Sequence, residues 1–476
     1  MIVHNLILAI LLATPHWVIQ DSGTTARLRG VSAVSNRVAW ASGSGSTVLR
    51  TADGGHSWRK LTITTDALDY RDIDAIDSQT AYVLSIGNGP LSRIYKTTDG
   101  GSTWTMQFKN DDPKAFYDAM SFWDAIHGIV IGDSIDSRFC IITTENGGQI
   151  WKRVPASALP PALENEGAFA ASGTNIAVHG KTHAWIGTGA ASKARVLRTT
   201  DRGRTWKVSD TPLVAGSSAG IFSIAFRDSK HGVIVGGDYT REKEAVGNLA
   251  VTNDGGVTWT LVKGLSGYRS AVAYVPVTAQ SRQTSMLVAV GPSGVDYSTD
   301  DGRTWKQLEG PGFDTLSFVR ARVRGWPIGW ATGSSGSIGK LVFNFEMTPL
   351  PGGEPSRKGS ASPRAGALHP GLPSSLIRVN IRARVDQCLD DGSVVRLRII
   401  VRRPQCLIQH RGAVNVLHFK RSFAVQQQLN GTQLSAGRGP VQTGLAANVL
   451  SGDSDSFLEE EIDDAVSTIL TSPHET

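Results

Sequence analysis

The sequence predicts an all-β fold: a seven-bladed β-propeller closed by an N-terminal strand and followed by a poorly ordered C-terminal extension. A short phrase ending in Trp, such as "KTTDGGSTW" at 96–104, recurs about every 46 to 55 residues, the length of a propeller blade. Short clusters of aromatic and β-branched residues, separated by turn signals, precede each phrase. With 52 glycines in 476 residues, the chain is rich in turns and lacks long amphipathic helical stretches.

The recurring phrase has the chemistry of a tight hairpin turn. Its pattern is [Ser/Thr]-x-Asp-x-Gly-x-[Thr/Ser]-Trp. The Asp can accept hydrogen bonds from backbone N–H groups two or three residues on, and the Gly supplies the positive φ of a tight connection. The Trp begins the next strand, where we expect it to bury its indole between neighbouring sheets. We assign structural roles to Asp53, Gly55, Trp58, Asp99, Gly101, Trp104, Trp151, Asp201, Gly203, Trp206, Asp254, Gly256, Trp259, Asp300, Gly302 and Trp305.

One copy departs from this pattern. In "TTENGGQIW" (143–151), Glu145 takes the acidic position and an extra residue is expected before Trp151. The aspartates of the phrase are predicted to be turn residues, so their repetition does not make them catalytic.

One repeat contains four short strands. Before Trp104 we predict an inner strand over 70–76, a second over 81–86 and a third over 93–96; the fourth begins at Trp104 itself. This order is typical of a propeller blade.

The last repeat lacks its fourth strand. Residues 313–343 supply three strands with no phrase after them. The segment 16–31 resembles the part of other repeats that follows the phrase, with Trp17 in the place of the repeated Trp. We predict that this N-terminal segment completes the seventh blade and removes the free sheet edges.

Composition argues against several classes of function. The formal net charge is +6, and the basic residues of the first 350 positions are interspersed with acids, so no nucleic-acid-binding stripe is predicted. No apolar run approaches the roughly 20 residues of a membrane-spanning helix. Cys140, Cys388 and Cys406 are too few for a disulfide scaffold or a zinc knuckle, although the last two could pair in an exported chain. No cofactor and no metal site is predicted.

The N-terminus has some features of a signal peptide. Residues 1–13 include an apolar run from Leu6 to Leu12 followed by Ala13, but no Lys or Arg precedes the run. We expect export to the periplasm or the extracellular space, with a buried N-terminal strand as the alternative.

The chain changes character after the propeller, which we place at 14–345. Residues 346–375 are rich in Pro, Gly and Ser and predict a linker. Residues 376–476 are basic and then acidic, and low order is expected. Within them, 376–385 and 394–403 could form a hairpin. The basic stretch could bind an anionic surface, or the tail could be a foreign or misread extension of the gene.

The recurring phrase resembles the Asp-box, or bacterial neuraminidase repeat. Residues 14–345 resemble the seven-bladed Asp-box propellers related to the photosystem II assembly and stability factor of chloroplasts and cyanobacteria, many of whose bacterial relatives have no photosynthetic role. The similarity is carried by "IYKTTDGGSTW" (94–104), "YRDIDAIDSQTAYVLS" (70–85) and "IFSIAFRDSKHGVIVGG" (221–237). It implies a scaffold that assists assembly, although the motif marks blade turns rather than a site. Asp-boxes also occur in sialidases, some glucan-cleaving glycoside hydrolases and sortilin-type receptors.

The loops opposite the repeated turns form the candidate binding rim. They lead from a fourth strand to the next inner strand or join the second and third strands of a blade. Such a rim could bind a peptide or a sugar. Its candidate residues are Tyr70, Arg71, Asp72, Tyr117, Asp118, Glu164, Glu166, Asp238, Arg241, Tyr268 and Arg269.

Each rim candidate has a simpler interpretation. Arg71 with Asp72 and Asp74 is more simply a solvated blade end or a local ion pair than a ligand clamp. Glu164 and Glu166 could form the carboxylate pair of a glycosidase. His127 and His231 occupy equivalent places in two repeats and are predicted to be turn residues rather than metal ligands.

The sequence favours a non-catalytic, exported, monomeric propeller that binds another protein or a glycan and acts as an assembly scaffold. A glycoside hydrolase of sialidase type is the alternative, and an extracellular sugar or peptide recognition module is a second one, so enzymatic activity stays open. A sialidase needs three arginines around an acid and a Tyr/Glu pair at the mouth of the ring. The sequence does not clearly supply that cluster.

Overall fold

The structure is a computed structural model that describes residues 14–276, 286–319 and 327–344, with the backbone of four further strands after residue 354. The chain divides into two units, Met1–Gly353 and Glu354–Thr476. The predicted signal peptide at 1–13 and the predicted linker at 346–375 lie outside the described residues.

The first unit consists of seven antiparallel sheets of four strands each, which are the seven blades of a β-propeller. In chain order the strands are β1 (Thr14–Gln20), β2 (Leu28–Ala33), β3 (Ala39–Gly43), β4 (Thr47–Thr51), β5 (Arg59–Leu61), β6 (Asp69–Ala75), β7 (Ala81–Ile86), β8 (Arg93–Thr97), β9 (Thr105–Lys109), β10 (Tyr117–Phe122), β11 (Gly128–Ile135), β12 (Arg138–Thr144), β13 (Lys152–Arg153), β14 (Ile176–His179), β15 (His183–Gly187), β16 (Arg195–Thr199), β17 (Lys207–Asp210), β18 (Ala219–Phe226), β19 (Gly232–Asp238), β20 (Leu249–Thr252), β21 (Thr260–Leu261), β22 (Ala271–Tyr274), β23 (Leu287–Gly291), β24 (Gly294–Ser298), β25 (Lys306–Leu308), β26 (Thr315–Phe318), β27 (Gly329–Thr332) and β28 (Ile338–Asn344).

Blade 1 is built from β2 to β5, and each of the next five blades takes the following four strands in order. The predicted strands of the second repeat agree with β6 to β9 to within about one residue. Short 3-10 helices at Gly89–Leu91, Ala156–Ala158 and Ser334–Gly336 lie in the connecting loops.

The seventh blade is closed by the N-terminal strand, as predicted. Strand β1 pairs with β28 along its whole length, from Thr14 opposite Asn344 to Gln20 opposite Ile338. Trp17 packs against Phe313, with ring centroids 4.8 Å apart. It also lies beside Gly310, as Trp305 lies beside Gly264 in the preceding blade. Trp17 therefore takes the place of the repeated Trp.

The apolar core lies between neighbouring blades. Trp40 of blade 1 and Tyr70 of blade 2 belong to one buried cluster, against which Trp104 packs. Trp104 meets Trp40 edge-on at a centroid distance of 6.2 Å. Because the largest side chains fill the junctions, each blade depends on its neighbours for its core.

The repeated turn is held by one set of hydrogen bonds. At Asp99, the Thr97 hydroxyl donates to Oδ1 at 2.8 Å, and the Thr103 N–H and hydroxyl donate to Oδ1 and Oδ2 at 2.9 and 2.6 Å. The Gly101 N–H donates to Thr97 Oγ1 at 2.9 Å, and Gly101 has a φ of 84°. Equivalent bonds form at Asp53, Asp201, Asp254 and Asp300.

The turn at 143–151 contains no extra residue, so our alignment of this copy was wrong. Asn146 occupies the position of the aspartate, and its Oδ1 accepts hydrogen bonds from the Thr144 hydroxyl at 3.0 Å and the Ile150 N–H at 2.9 Å. Ile150 replaces the hydroxyl-bearing residue of the other turns. Glu145 points outward, 3.3 Å from Arg204. The sequence pattern was misleading because Glu145 directly precedes Asn146, and it is the Asn146 side chain that accepts the hydrogen bonds of the turn.

The second unit contains one antiparallel sheet, in the order β31, β30, β29, β32. Its strands are β29 (Arg378–Cys388), β30 (Val395–Arg402), β31 (Phe423–Val425) and β32 (Gly444–Asn448). The pairing of β29 with β30 agrees with the predicted hairpin. The acidic end of the tail lies outside the described residues, and low order in the tail stays a prediction. No helix in the described ranges has the length and apolar character needed to cross a bilayer.

Candidate binding face

The blades present two faces. The turn face carries the repeated turns between the third and fourth strands. The loop face, opposite to it, carries the loops from each outer strand to the next inner strand and the loops between second and third strands. The predicted rim residues belong to the loop-face ends of the blades.

Most predicted rim residues are buried, so their assignment to an exposed rim was wrong. Tyr70 and Tyr117 are 1% and 3% exposed and pack edge-on against Tyr95 and Phe108. Burial raises the pKa of both phenols, that of Tyr117 to about 12. Such residues lie where the inner strands converge on the axis, and blade packing covers them. The buried candidates are Tyr70, Asp72, Tyr117, Asp118, Glu166, Asp238, Tyr268 and Arg269.

Asp72 joins two blades. Its Oδ2 accepts the backbone N–H of Met120, on the inner strand of blade 3, at 2.7 Å. Asp74 Oδ2 accepts the N–H of Phe122 in the same way at 2.9 Å. Arg71 pairs with Asp69 at 2.8 Å, and its side chain is 24% exposed. The predicted local ion pair therefore exists, but with a different carboxylate.

Glu166 is locked into a structural ion pair. Its carboxylate accepts hydrogen bonds from Nε and Nη2 of Arg195. It also accepts the Thr188 hydroxyl at 2.6 Å and the Leu163 N–H at 2.8 Å. The Glu166 side chain is fully buried, whereas Glu164 is exposed. A carboxylate with so many fixed partners is unsuited to exchanging protons with a substrate, so the geometry speaks against a glycosidase pair.

Arg269 forms a second buried ion pair, with Asp296. The nitrogen–oxygen distance is 2.6 Å and both side chains are 0% exposed. The guanidinium also donates to the Tyr268 carbonyl and to Ser266 Oγ. Because the Arg269 guanidinium is buried and bonded to groups of its own blade, it is not available to a ligand.

Asp238 organises the loop between β19 and β20. It accepts the Thr240 hydroxyl at 2.7 Å and the Arg241 Nε–H at 3.0 Å, and the bond from Thr240 contributes most to lowering its pKa. The Arg241 side chain is 61% exposed and also contacts Glu244 at 3.0 Å. Arg241 and Glu164 are thus the predicted rim residues that the structure leaves on the surface, with Arg71 partly exposed.

A segment between blades 3 and 4 lies across the propeller axis. Residues 169–175, the axial segment, bond to the inner strands or inner-strand ends of blades 1, 2, 5, 6 and 7, so they must lie inside the ring of inner strands. Its contacts are Arg71 Nη1 to the Ala170 carbonyl (3.0 Å), Arg29 Nη1 to the Ala171 carbonyl (3.3 Å), Thr315 Oγ1 to the Ser172 carbonyl (2.9 Å), Ser172 Oγ to the Ser270 carbonyl (2.8 Å) and Thr174 Oγ1 to Ser223 Oγ (2.7 Å).

An aromatic cluster adjoins the axial segment. Phe169 stacks on Phe222 with centroids 3.9 Å apart, and Tyr268 meets Phe222 edge-on at 4.7 Å. Tyr239 meets Phe169 and Phe222 at 6.4 and 6.1 Å and is 48% exposed. The loop face therefore presents the side of an aromatic cluster to the solvent.

Two arginines, Arg29 and Arg71, donate to the axial segment, and Arg27 precedes Arg29 by two residues. Arg27 is held by Asp314 through two bonds of 2.7 and 2.8 Å, and Arg71 by Asp69. Arg29 has no ion pair within the described part of the chain. Burial lowers the pKa of Arg29, Asp314 opposes this, and the positive charges of Arg71 and Arg27 add to it. Arg29 is therefore a half-buried cation with no carboxylate partner within the described ranges.

Sequence reasoning missed Arg27, Arg29, Phe222 and Tyr239. Arg29 could have been found, because "LRGV" at 28–31 occupies the same place in its blade as "YRDI" at 70–73. Phe222 and Tyr239 join the site only through contacts with Phe169, which a linear sequence does not show.

The histidines of the turn face are turn residues, as predicted. Nδ1 of His127 lies 2.9 Å from Asp124, and Nδ1 of His231 lies 2.9 Å from Asp228. Among the residues described, no three His, Cys, Asp or Glu side chains converge as metal ligands.

Comparison with known proteins shows similarity at the level of fold. No protein-family model and no curated protein matches the sequence. A streptogramin B lyase structure aligns with a TM-score of 0.50 and 14% identity over 70% of this chain and 99% of that chain. YCF48 bound to D1 peptide gives 0.48 and 17% over 69% and 97%. A GH74 xyloglucanase from Xanthomonas campestris gives 0.47 and 15% over 68% and 53%. The chain is a seven-bladed β-propeller, a fold found in proteins of different activities.

Proposed function

We propose that this protein is a non-catalytic scaffold whose loop face binds a segment of another protein. The observation that carries the proposal is an aromatic cluster, exposed at Tyr239, beside an axial segment to which Arg29 donates, with no ion pair to Arg29 among the described residues. Aromatic residues and arginine are the side chains most enriched in protein interfaces. The resemblance to Asp-box assembly factors points in the same direction.

The state of the carboxylates on the loop face supports a scaffold over a hydrolase, because the acids are engaged in structural contacts. Glu166 and Asp296 are fully buried in ion pairs, and Asp314 is bound by Arg27. Asp72 holds a backbone N–H of the next blade. These acids stabilise the fold in fixed hydrogen bonds, which leaves the aromatic and guanidinium groups as the accessible chemistry of the face.

The chemistry of the face also describes its partner. Arg29 suits a carboxylate, which a guanidinium can bind through two parallel hydrogen bonds. Tyr239 offers an aromatic edge for an apolar or aromatic side chain. A peptide segment carrying an acidic and a large apolar residue would satisfy both groups.

The test is capture of partners from an extract of the source cells. Tyr239→Ala with Arg29→Gln should reduce the captured partner at least tenfold relative to the wild type. Val257→Ala is the matched control, because Val257 is also 48% exposed but lies on the turn face. Equal capture by the loop-face variant and the control would reject the loop face as the binding surface. A glycan as the captured species would favour the recognition module.

One observation favours a sialidase-type hydrolase as a second candidate. Arg27 and Arg29 act electrostatically on Tyr268, together with Glu242, and Arg71 acts on Arg29. Against catalysis, Tyr268 is 4% exposed, and burial raises the pKa of its hydroxyl above the ordinary value, whereas a nucleophile needs a phenolate. Turnover of a fluorogenic sialoside that Tyr268→Phe abolishes would establish the hydrolase. We expect no turnover.

A further inference from the structure

Two acids outside the ion pairs lie where the chain enters the axial segment. Asp118 is the bulged residue of β10, between the paired Tyr117 and Ala119. It is 1% exposed, and its Oδ2 has no hydrogen-bond partner. A carboxylate charge in such a place would be costly, because burial removes it from solvent and no cation pairs with it among the described residues.

Asp133 lies on the neighbouring strand. It follows Gly132, which pairs with Tyr117, so Asp118 and Asp133 flank the same cross-strand pair. Asp133 Oδ1 accepts the backbone N–H of Ala168 at 3.2 Å, and Gly167 approaches this oxygen so closely that a Cβ would have no room.

The next residue strengthens this anchor. The Ser134 hydroxyl donates to the Glu166 carbonyl at 2.6 Å. Asp133 and Ser134 together therefore hold residues 166–168, directly before the axial segment.

The surroundings offer the acid pair no counter-charge. Neither Asp118 nor Asp133 forms an ion pair in the described part of the chain. Among the described residues, the Cys140 thiol of β12 senses both acids, and Arg153 and Asp112 act on Cys140. Asp72 of blade 2 lies against Gly173 of the axial segment and accepts the Met120 N–H. Burial raises the pKa of Asp118 well above its ordinary value, with a further contribution from Asp133, and burial raises that of Asp133 to about 6.

We propose that Asp118 and Asp133 form a proton-controlled latch on the axial segment: while the pair retains a proton the segment stays docked, and loss of that proton releases it. With both acids ionised, two buried like charges would lie on either side of one cross-strand pair, with no ion pair to them in the described part of the chain. Moving residues 166–168 away admits water to the acids at the cost of a few hydrogen bonds. Two interacting carboxyl groups lose their protons in two steps, and the apparent pKa values of those steps belong to the pair. Release would uncover the inner-strand residues that the axial segment now contacts.

Hydrogen exchange of the full chain tests the latch without any partner, and so independently of the proposed function. We expect the protection factors of the 166–175 amides, corrected for chemical exchange, to fall by up to about tenfold per pH unit for each proton released, beginning at about pH 4, where a solvated Asp titrates, and to level off above the apparent pKa values of the docked pair. Strand β7 (Ala81–Ile86) should keep its protection over the same range, which separates local release from unfolding.

Asp118→Asn should reduce the pH dependence, because an amide of nearly the same shape cannot ionise and Asp133 is then the remaining acid of the pair. The matched control is Asp136→Asn, whose side chain is 80% exposed three residues beyond Asp133. A constant wild-type protection factor, or an unchanged slope in Asp118→Asn, would overturn the proposal. If Asp118→Asn does not fold, Asp133→Asn decides in its place, since the amide oxygen of the substituted side chain can still accept the Ala168 N–H.

Discussion

The two faces of the propeller are stabilised in different ways. On the turn face, each aspartate finds its partners within about four residues, as Asp99 does with Thr97 and Thr103. On the loop face, ion pairs join residues far apart, such as Arg27 with Asp314 and Arg195 with Glu166. Repetition in the sequence therefore marks local structure, whereas the candidate binding site arises where unrepeated residues meet.

The faces also differ in their response to protons. Hydrogen bonds from Thr103, first from its hydroxyl and then from its N–H, lower the pKa of Asp99 to about 2. At the loop-face end of blade 3, burial raises the pKa of Asp133 to about 6. The turn face therefore binds protons more weakly than the unfolded chain does, and the acid pair binds them more tightly.

The largest expected effect on the free energy of unfolding tests whether buried ion pairs stabilise the loop face. Glu166→Gln leaves the Arg195 charge buried without its partner and should lower the free energy of unfolding by about 3–5 kcal/mol. Glu164→Gln, two residues away and exposed, should change it by less than about 0.5 kcal/mol. Denaturant unfolding measures both. Equal, small effects would mean that the buried pair does not stabilise this face.

An intermediate effect is expected for a single repeated turn. Asp254→Ala removes the acceptor for the Thr252 and Thr258 hydroxyls and should cost about 1–2 kcal/mol by the same measurement. Asn146→Ala should cost less, because Ile150 has no hydroxyl for the side chain of residue 146 to accept. A loss at Asn146 as large as that at Asp254 would show that the hydroxyl bond contributes little to the turn.

The smallest expected effect is the change in the free energy of unfolding per pH unit. Because the folded-state pKa of Asp133 is raised, its contribution to stability is full below the unfolded value of about 4 and is lost as the pH rises through about 6. The turn aspartates act oppositely: Asp99 and Asp254, with pKa values of about 2, stabilise above pH 4 and lose this contribution as the pH falls towards 2.

Unfolding free energies measured from pH 7 to 2 should therefore pass through a maximum near pH 4 to 5. The slope on the neutral side should be no more than about 1.4 kcal/mol per pH unit for one proton. Asp133→Asn should flatten the neutral side and leave the acid side unchanged. A wild-type maximum at pH 7 would show that the acid pair is not linked to folding.

Much of the fold could be predicted from the sequence, because each blade contains its own signals. The strand bounds around Tyr95 and the closing role of Trp17 follow from the repeat alone. The burial of Tyr70 and Tyr117 does not follow from the repeat, because the repeat gives the order of the strands but not which side chains pack between neighbouring blades. The position of the axial segment could not be predicted from the repeat either, because Ser172 bonds to residues of blades 6 and 7 that are distant from it in sequence.

The pairing of β1 with β28 has a consequence for biosynthesis. The two strands come from opposite ends of the propeller's sequence, and contacts so distant in sequence form late, because much of the chain must be ordered before they bring any gain. Until β28 has left the ribosome or a translocation channel, Trp17 has no partner blade and the ring stays open. Closure of the ring is therefore the last step in forming the propeller, however early the first blades form.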